Sequence, residues 1–212
     1  MIDSHKINYS KLDTLNVSRE TFLELDEFKE MILDENKKIN LISQHTEELA
    51  RDRHIIDCAQ IIDLIDENHL SCTDLGSGSG LPGLVIAIIK KKQKSKMKFF
   101  LYEKSFKKSN FLKKVINKFE LNAEVINQNI FDQKKLNSDL IVARAFKPLP
   151  VLLDLVTKNF DDFKDIILFL GKSGKSSIEQ CLQNWNLEFM EKKSVTEKDS
   201  IIIKINKVSK KK

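Results

Sequence analysis

From residue 71 onward, short apolar runs alternate with amphipathic stretches, and this alternation constrains the fold more strongly than any other feature. Seven predicted strands occupy residues 71–75, 98–103, 123–127, 138–143, 165–170, 187–193 and 200–206, and four predicted helices occupy residues 82–92, 106–119, 150–160 and 175–184. The alternation predicts an α/β fold with a mostly parallel sheet and helices on both faces. Only a short link, Glu197-Lys198-Asp199, separates the last two strands, so we expect them to form an antiparallel hairpin.

The first 70 residues have a different pattern, which predicts helices. Apolar side chains recur every three or four positions between Ser18 and Asn36, acids occupy the other face, and Ser18 is a suitable N-cap. A second helix is predicted from about Glu47 to Asp66. We therefore divide the chain into an N-terminal helical extension, residues 1–70, and an α/β domain, residues 71–212, whose last four residues are expected to form a frayed basic tail.

The composition predicts a soluble protein of a reducing compartment. Apolar residues make up 41% of the 212 residues, but the longest purely apolar run, Leu84 to Ile89, is far too short to cross a membrane. The N-terminus has no apolar signal segment. Cys58, Cys72 and Cys181 are scattered and odd in number, which argues against disulfides and against a cysteine-rich metal site. We expect a cytoplasmic monomer with no membrane contact and no metal.

Charge is distributed unevenly along the chain. Residues 1–70 carry 8 basic and 16 acidic side chains, whereas residues 71–212 carry 28 basic and 15 acidic ones. A basic body favours a polyanion partner, because every neutralised phosphate releases condensed counterions. The chain is also rich in isoleucine and asparagine, so a bias in coding composition explains the lysines equally well.

The segment from Thr73 to Gly83 is the most informative motif, since it follows the first predicted strand and opens a predicted helix. Its glycines allow the backbone to turn tightly and to approach a ligand, and Pro82 suits a first helical turn. Such a loop offers backbone N–H groups at a helix N-terminus to a polar ligand.

Two cofactor classes are compatible with this loop. Gly78, Gly80 and Gly83 satisfy the dinucleotide pattern G-x-G-x-x-G, and Glu103 lies 20 residues beyond Gly83, at the end of the next strand. The same loop, with Asp74 in the strand end before it, also resembles the first motif of S-adenosylmethionine methyltransferases. An acid at this position would lie near the pyrophosphate of a nicotinamide dinucleotide, so the motif favours a methyltransferase over an oxidoreductase. A purely structural glycine turn is the weakest interpretation.

A second glycine-rich segment, Gly171 to Ser176, looks like a nucleotide-binding P-loop. The P-loop pattern G-x-x-x-x-G-K-[ST] requires a glycine at position 169, where this chain has Phe169. We therefore expect the segment to be the turn after the fifth strand.

Several further segments, in the correct order between about residues 20 and 175, resemble the glucose-inhibited division protein B family of small-subunit ribosomal RNA guanine-N7 methyltransferases. The similar segments are Asn40 to Ser43, Arg53 to Cys58, Gly76 to Gly83, Glu103 with Lys107-Lys108 and Phe111-Leu112, Ala143 to Phe146, and Pro148 to Pro150. In the second of these, Cys58 replaces the serine of the family. The resemblance implies a class I S-adenosylmethionine methyltransferase fold, Rossmann-like and with about seven strands, that methylates N7 of a guanine in 16S ribosomal RNA.

The resemblance also implies roles for individual residues. The residues that would contact the methionine end of S-adenosylmethionine are Asp74, Gly76, Ser77, Gly78, Gly80 and Leu81. Glu103 would bind the ribose hydroxyls, and Ile130-Phe131 would meet the adenine through backbone groups, although family members often have an acid where Phe131 stands. Arg144, at the carboxyl end of the fourth strand, would hold either the methionine carboxylate or the target base.

The chemistry of guanine N7 agrees with what the sequence lacks. N7 carries a lone pair and no proton, so methyl transfer needs an in-line geometry rather than a general base. All four histidines precede the cofactor loop, and no cysteine lies between Cys72 and Cys181 to serve as a nucleophile for a cytosine-directed reaction. We expect Arg144 to act in catalysis by contacting guanine O6 or a phosphate; the alternative is an arginine that is merely ion-paired at a strand end.

Polar residues outside the loop suggest an RNA surface and an anchor. The lysines that we expect to bind RNA phosphates are Lys104, Lys107, Lys108 and Lys147. His54 and Asp57 lie three residues apart on one helical face, and an anchor between the extension and the domain is favoured there over substrate contact. Three alternatives remain for the whole chain: a class I methyltransferase with a different RNA base or a protein substrate, a nicotinamide-dependent oxidoreductase, and a non-catalytic RNA-binding subunit.

Overall fold

The computed structural model describes residues 17–211 and has the α/β architecture that the sequence predicts. The strands of its sheet are β1 Ser71–Leu75, β2 Lys98–Tyr102, β3 Ala123–Ile126, β4 Leu136–Arg144, β5 Phe160–Leu170, β6 Trp185–Lys193 and β7 Ile201–Lys210. Their order across the sheet is β3-β2-β1-β4-β5-β7-β6. Strands β1 to β5 are parallel, and β7 runs antiparallel to both β5 and β6, so the predicted C-terminal hairpin is confirmed.

The helices follow the predicted alternation. The α-helices of the described residues are α1 Arg19–Asn36, α2 Asp57–Ala59, α3 Gly83–Lys92, α4 Phe106–Lys118, α5 Leu149–Asn159 and α6 Gly174–Asn184. The four helices predicted after residue 71 are thus confirmed, with ends that differ by at most one residue. The segment Gly171 to Ser173 is the turn between β5 and α6, as expected.

The sheet has a core on each face, because successive side chains of a strand point in opposite directions. In β4, Leu140 and Val142 belong to the core that contains α1, α3 and α4. Ile141 and Ala143 belong to the core that contains α5 and α6. All four side chains are buried, as a central strand covered on both faces requires.

Helix α1 packs against the rest of the protein through both apolar and charged side chains. Ser18 caps it, since Ser18 Oγ accepts a hydrogen bond from Thr21 N at 3.3 Å. Acids of α1 form ion pairs with lysines of α3 and α4: Glu24 with Lys92, Glu27 with Lys118, and Glu35 with Lys114. Part of the uneven charge is therefore neutralised within the chain, and these lysines are not evidence for a polyanion partner.

The second predicted helix, from about Glu47 to Asp66, is continuous only from Arg51 to Ala59, as Arg51–Ile56 followed directly by Asp57–Ala59, so its length was predicted wrongly. Gln44–Thr46 and Ile62–Leu64 are separate single turns. Buried Gln60 accounts for one interruption, because its Nε2 donates to Asp57 O at 3.0 Å. A continuing helix would pair that carbonyl with Ile61 N instead.

The ends of the chain differ from the predicted ones. Ser209 and Lys210 belong to β7, so the expectation of a frayed tail is wrong for these two residues. They are paired with Asn186 and Trp185 of β6, and such ladder pairing orders them. Residues 1–16 of the predicted extension, and Lys212, lie outside the described residues. Within residues 17–211, none of the helices combines the length and the apolar character needed to span a membrane.

Candidate active site

The loop of residues 76–82 joins β1 to α3 at the carboxyl edge of the sheet, where open α/β sheets bind ligands. Gly76, Gly78 and Gly80 have φ angles of +69°, +57° and +87°, which residues with a Cβ rarely adopt. A Cβ on Gly76 would collide with the ring of Phe146. Glycine at this position therefore lets the loop pack directly against the segment that follows β4. Leu81, next in the loop, is buried.

Asp74 is fully buried beneath this loop. Its Oδ2 accepts a hydrogen bond from Gly83 N at 3.1 Å, and Ser77 Oγ donates to its main-chain carbonyl at 3.2 Å. Its Oδ1 has no hydrogen-bond partner within residues 17–211. Burial, reinforced by the Glu103 carboxylate, raises the pKa of Asp74 to about 7. The site thus contains a carboxyl group with unused acceptor capacity.

Glu103 follows β2 and faces the same loop. Its Oε2 accepts a hydrogen bond from Gly78 N at 2.9 Å, and its Oε1 accepts one from Ser105 N at 2.7 Å. Ser77 N donates to Tyr102 O at 2.9 Å, which fixes the loop beside β2. Each carboxylate oxygen has a second lone pair, so Glu103 can still accept two hydroxyl donors.

The segment after β3 supplies an aromatic surface at the same edge. Ile130 is buried, whereas Phe131 is 38% exposed. Asn159 Nδ2 donates to the carbonyls of Ile130 and Phe131 at 3.2 and 3.3 Å, which holds the segment against the end of α5. The Phe131 and Phe146 ring centroids are 6.0 Å apart, and Lys147 Nζ lies 5.9 Å from the Phe131 centroid. The segments after β3 and β4 therefore meet through two rings and a cation.

Arg144, the last residue of β4, is held by three acceptors from the N-terminal helical region. Its Nε donates to Asp57 Oδ2 at 3.1 Å, and its Nη2 donates to Arg53 O at 2.7 Å and lies 3.3 Å from His54 Nδ1. Its Nη1 has no hydrogen-bond partner in the described part of the chain. Arg144 thus combines the ion pair of a structural arginine with one free guanidinium nitrogen.

His54 and Asp57 anchor the helical region through Arg144 rather than through a bond to each other. Burial and the nearby Arg144 charge lower the pKa of His54 from 6.5 to about 4, so the ring is neutral at pH 7. Since Arg144 can only donate, Nδ1 is the acceptor and the proton lies on Nε2. His54 Nε2 is 2.9 Å from Thr46 Oγ1, which can accept that proton's hydrogen bond.

A cavity of about 310 Å³ lies beside Arg144, at the carboxyl ends of β4 and β5. The turn of residues 194–200 between β6 and β7 forms one wall, and the segment 53–57 forms another. Asp57 Oδ1 joins the walls by accepting hydrogen bonds from Ser194 Oγ at 3.2 Å and Thr196 Oγ1 at 2.7 Å. Glu197 joins them a second time through an ion pair with Arg53.

The contribution of this turn was not predicted from the sequence, in which the last part of the chain looks uninformative. The signal that could have located it is topological. Leu170, the end of β5, is paired with Ile201, the start of antiparallel β7, so the turn before β7 must reach the carboxyl edge of the sheet.

The lysines expected to bind RNA lie in two groups on this edge. Lys104, Lys107 and the half-buried Lys108 surround the start of α4, whereas Lys147 follows β4. None of the four has an acidic partner within the described range 17–211. Phe106, between Lys104 and Lys107, is 67% exposed. Because β2 and β4 flank β1 in the sheet, the two groups of lysines lie on either side of the glycine loop.

The order of the sheet, the glycine loop after β1 and the acid after β2 define a class I methyltransferase fold. Solved structures agree. The 16S rRNA methylase RmtB aligns with a TM-score of 0.55 and 13% identity, over 93% of this chain and 80% of that chain. TrmK of M. capricolum, in complex with S-adenosylhomocysteine, aligns with a TM-score of 0.52 and 16% identity, over 79% and 70% of the two chains.

The chain belongs to the GidB family, rRNA small subunit methyltransferase G, whose family model matches residues 22–204. Ribosomal RNA small subunit methyltransferase G of Pelagibacter ubique (strain HTCC1062) is 50% identical over 206 residues, which cover 96% of this chain and 97% of the relative. The protein of the same name from Bartonella henselae is 37% identical over 195 residues, which cover 91% and 90%. The predicted family and fold class are therefore confirmed.

Proposed function

We propose that this protein transfers the methyl group of S-adenosylmethionine to N7 of a guanine in 16S ribosomal RNA. The observation that carries the proposal is the 50% identity, over nearly the full length of both chains, with a ribosomal RNA small subunit methyltransferase G. The guanine and its N7 atom come from the family resemblance. The carboxyl edge of the sheet supports the proposal independently, because loop, acids and cavity converge there.

S-adenosylmethionine fits the donors and acceptors of the loop region. Glu103 has two free lone pairs for the ribose hydroxyls. The methionine end would lie against the loop, whose residues are Asp74, Gly76, Ser77, Gly78, Gly80 and Leu81, and the orphaned Asp74 Oδ1 is a spare acceptor beneath it. Ile130 and Phe131 would border the adenine. When bound, the cofactor supplies an electrophilic methyl group on a sulfonium.

The residues around Arg144 orient the substrate and do not deprotonate it. His54 is neutral, but its Nδ1 accepts from Arg144 and its Nε2 faces Thr46, so neither nitrogen is free to remove a proton. N7 of guanine has no proton to remove. Holding the nucleophile in line with the methyl group is therefore the main contribution of the protein.

Arg144 is the residue that we assign a direct catalytic role. Its free Nη1 can donate to guanine O6, to a phosphate or to the methionine carboxylate, while Asp57 and Arg53 O fix the rest of the guanidinium. A donor held on two sides keeps its direction without reorganisation when the ligand binds.

Lys104, Lys107, Lys108 and Lys147 are proposed to bind RNA phosphates around this edge, since they have no acidic partners within residues 17–211. We further propose that the protein is cytoplasmic and carries no metal. Cys58, Cys72 and Cys181 are free thiols, which suits a reducing compartment. The expectation of a monomer stays a prediction.

Small ribosomal subunits from cells that lack the gene, incubated with the protein and methyl-labelled S-adenosylmethionine, test the proposal. After digestion of the RNA to nucleosides, we expect the label in 7-methylguanosine. Label in another nucleoside would show that the target atom was assigned wrongly, but the assignment as a methyltransferase would stand. Absence of label from subunits, naked RNA and proteins, despite cofactor binding, would favour a non-catalytic RNA-binding subunit, and binding of a nicotinamide dinucleotide alone would favour an oxidoreductase.

A further inference from the structure

The turn between β6 and β7 brings a carboxylate, Glu197, to the cavity that Arg144 lines. Both side chains contact the same residue. Arg53 accepts from Arg144 Nη2 through its carbonyl and forms an ion pair with Glu197 through its side chain. Glu197 and Arg144 are therefore neighbours across one cavity, although 53 positions separate them in the sequence.

Glu197 has one carboxylate oxygen without a partner, whereas both oxygens of Asp57, the other carboxylate of the cavity, already accept hydrogen bonds. Asp57 Oδ1 accepts from Gln60, Ser194 and Thr196, and Asp57 Oδ2 accepts from Arg144. The ion pair with Arg53 engages Oε2 of Glu197. Within residues 17–211, Oε1 of Glu197 has no hydrogen-bond partner, and the side chain is 28% exposed. The free acceptor and the free Arg144 Nη1 are complementary in charge.

Guanine offers a matching set of polar groups. Around the guanine base, the acceptors N7 and O6 are followed by the donors N1–H and N2–H₂. A carboxylate can accept from both donors, and an arginine can donate to O6, which leaves N7 unblocked. Adenine has no N1–H and carries an amino group in place of O6, so the same pair of side chains would reject it. Enzymes that modify a base read its Watson–Crick edge in this way inside a pocket.

We propose that the cavity between Arg144 and Glu197 receives the target guanine, and that Glu197 determines specificity by accepting hydrogen bonds from N1–H and N2–H₂. The inference rests on the proposed function, because it assumes that a guanine is the substrate. Arg144 contacts O6, so N7 lies on the side of the base away from Glu197. That side faces β1 and the glycine loop, since β4 lies between β1 and β5 in the sheet.

The test compares guanosine with inosine, which lacks only the N2 amino group. Once the methylated guanine has been mapped, small subunits are reconstituted with either nucleoside at that one position. We expect the wild-type protein to methylate guanosine with a kcat/KM about tenfold higher than inosine, since a hydrogen bond to a charged acceptor is lost. Glu197→Ala and Glu197→Gln should lower kcat/KM for guanosine about tenfold or more and reduce the guanosine-to-inosine ratio towards one.

The ratio is measured within each variant, so loss of folded protein does not affect it. Glu188→Ala is the matched control, because Glu188 lies on β6 in an exposed ion pair with Lys207, outside the cavity lining; its ratio should equal that of the wild type. An unchanged ratio in both Glu197 variants would overturn the inference and leave the proposed function intact. Absence of any labelled guanine would overturn both.

Discussion

Two clusters, each made of a histidine, an aspartate and a cationic side chain, join the N-terminal helical region to the sheet, but only one of them lines a cavity at the carboxyl edge. The carboxyl-edge cluster consists of His54, Asp57 and Arg144. The amino-edge cluster consists of His69, Asp165 and Lys204: His69 Nε2 lies 2.9 Å from Asp165 Oδ2, and Lys204 Nζ lies 2.9 Å from the same oxygen.

In the amino-edge cluster the charged groups pair with one another, and His69 Nδ1 is the ring nitrogen that has no hydrogen-bond partner within residues 17–211. Lys204 Nζ also donates to Leu64 O at 3.0 Å and contacts Asp66 at 2.8 Å, and Asn206 Nδ2 donates to the second oxygen of Asp165 at 2.6 Å. The acids and the histidine have the composition of a metal site, but the lysine ammonium already lies among their ligand atoms. The lysine ammonium is thus shared by two carboxylates, which indicates a structural role.

The carboxyl-edge cluster is open. Arg144 keeps a free nitrogen and borders a cavity of about 310 Å³, at the edge where parallel sheets bind ligands. A histidine, an acid and a cation in contact are therefore not by themselves evidence of a site. We expect the cavity and the free Arg144 nitrogen at the carboxyl edge to separate a functional cluster from a structural one. Substitutions in the two clusters should therefore affect different measurements.

The largest effect on stability is expected at the amino edge. Lys204→Met removes the charge that balances the buried Asp165, and an uncompensated buried charge costs about 3–5 kcal/mol of unfolding free energy. The midpoint of thermal unfolding should fall by about 10 °C, whereas kcat and cofactor affinity at 25 °C stay unchanged. Lys207→Met, on the same strand but in an exposed ion pair, is the control and should leave the midpoint unaltered. A drop in kcat for correctly folded Lys204→Met would contradict the division of roles.

The next effect is a pH dependence that His54 introduces. Its pKa is about 4 in the folded protein and near 6.5 in the unfolded chain, so between these values only the unfolded chain binds the proton. Stability is fully present above about pH 6.5 and falls as the pH drops towards 4, by about 3 kcal/mol in total.

Urea unfolding of the wild type and of His54→Asn, measured across this pH range, tests the effect. The asparagine side chain keeps an acceptor for Arg144 but does not titrate, so the stability curve of this variant should be flatter. His69→Asn should flatten the curve less, because the Asp165 and Asp66 carboxylates partly offset the burial that lowers the pKa of His69. Parallel curves for wild type and His54→Asn would show that this titration is not coupled to folding.

The strands and helices after residue 71 could be predicted from the sequence because their signal is local. Apolar periodicity over a few residues indicates the central part of β4 and of α5, and the loop from Asp74 to Gly83 carries its own pattern of glycines. The interruption at Gln60 had no such signal. Gln60 Nε2 also lies within 3.3 Å of Ser194 Oγ, a residue 134 positions away, and no local window contains that contact.

The site residues can be separated in the same way into those that a local sequence pattern predicts and those that only long-range contacts bring to the site. The position of Arg144 at a strand end could be predicted, because a parallel strand ends where ligands bind. Its partners could not, since Asp57 is 87 positions away and Ser194 and Thr196 reach Asp57 only because β7 is antiparallel to β5. Local patterns thus predicted the elements, and the long-range contacts that make the cavity required the structure.

The smallest expected effect in free energy, and the one that separates the two clusters most directly, belongs to Arg144. Arg144→Ala should lower kcat/KM for methyl transfer about 100-fold, which corresponds to about 2.7 kcal/mol. Its unfolding midpoint should fall less than that of Lys204→Met, because Asp57 keeps three donors from Gln60, Ser194 and Thr196. Arg144→Lys keeps the charge but not the planar fork, so it should lose activity, and its unfolding midpoint should fall no further than that of Arg144→Ala.

Cofactor affinity, measured by titration calorimetry on the same variants, distinguishes the two contacts available to Arg144. A weaker affinity for S-adenosylmethionine would assign the free Nη1 to the methionine carboxylate, and an unchanged affinity with reduced kcat/KM would assign it to the base or a phosphate. If both turnover and cofactor affinity are unaltered in Arg144→Ala, the free nitrogen has no function. The carboxyl-edge cluster would then be as structural as the cluster at the amino edge, in spite of its cavity.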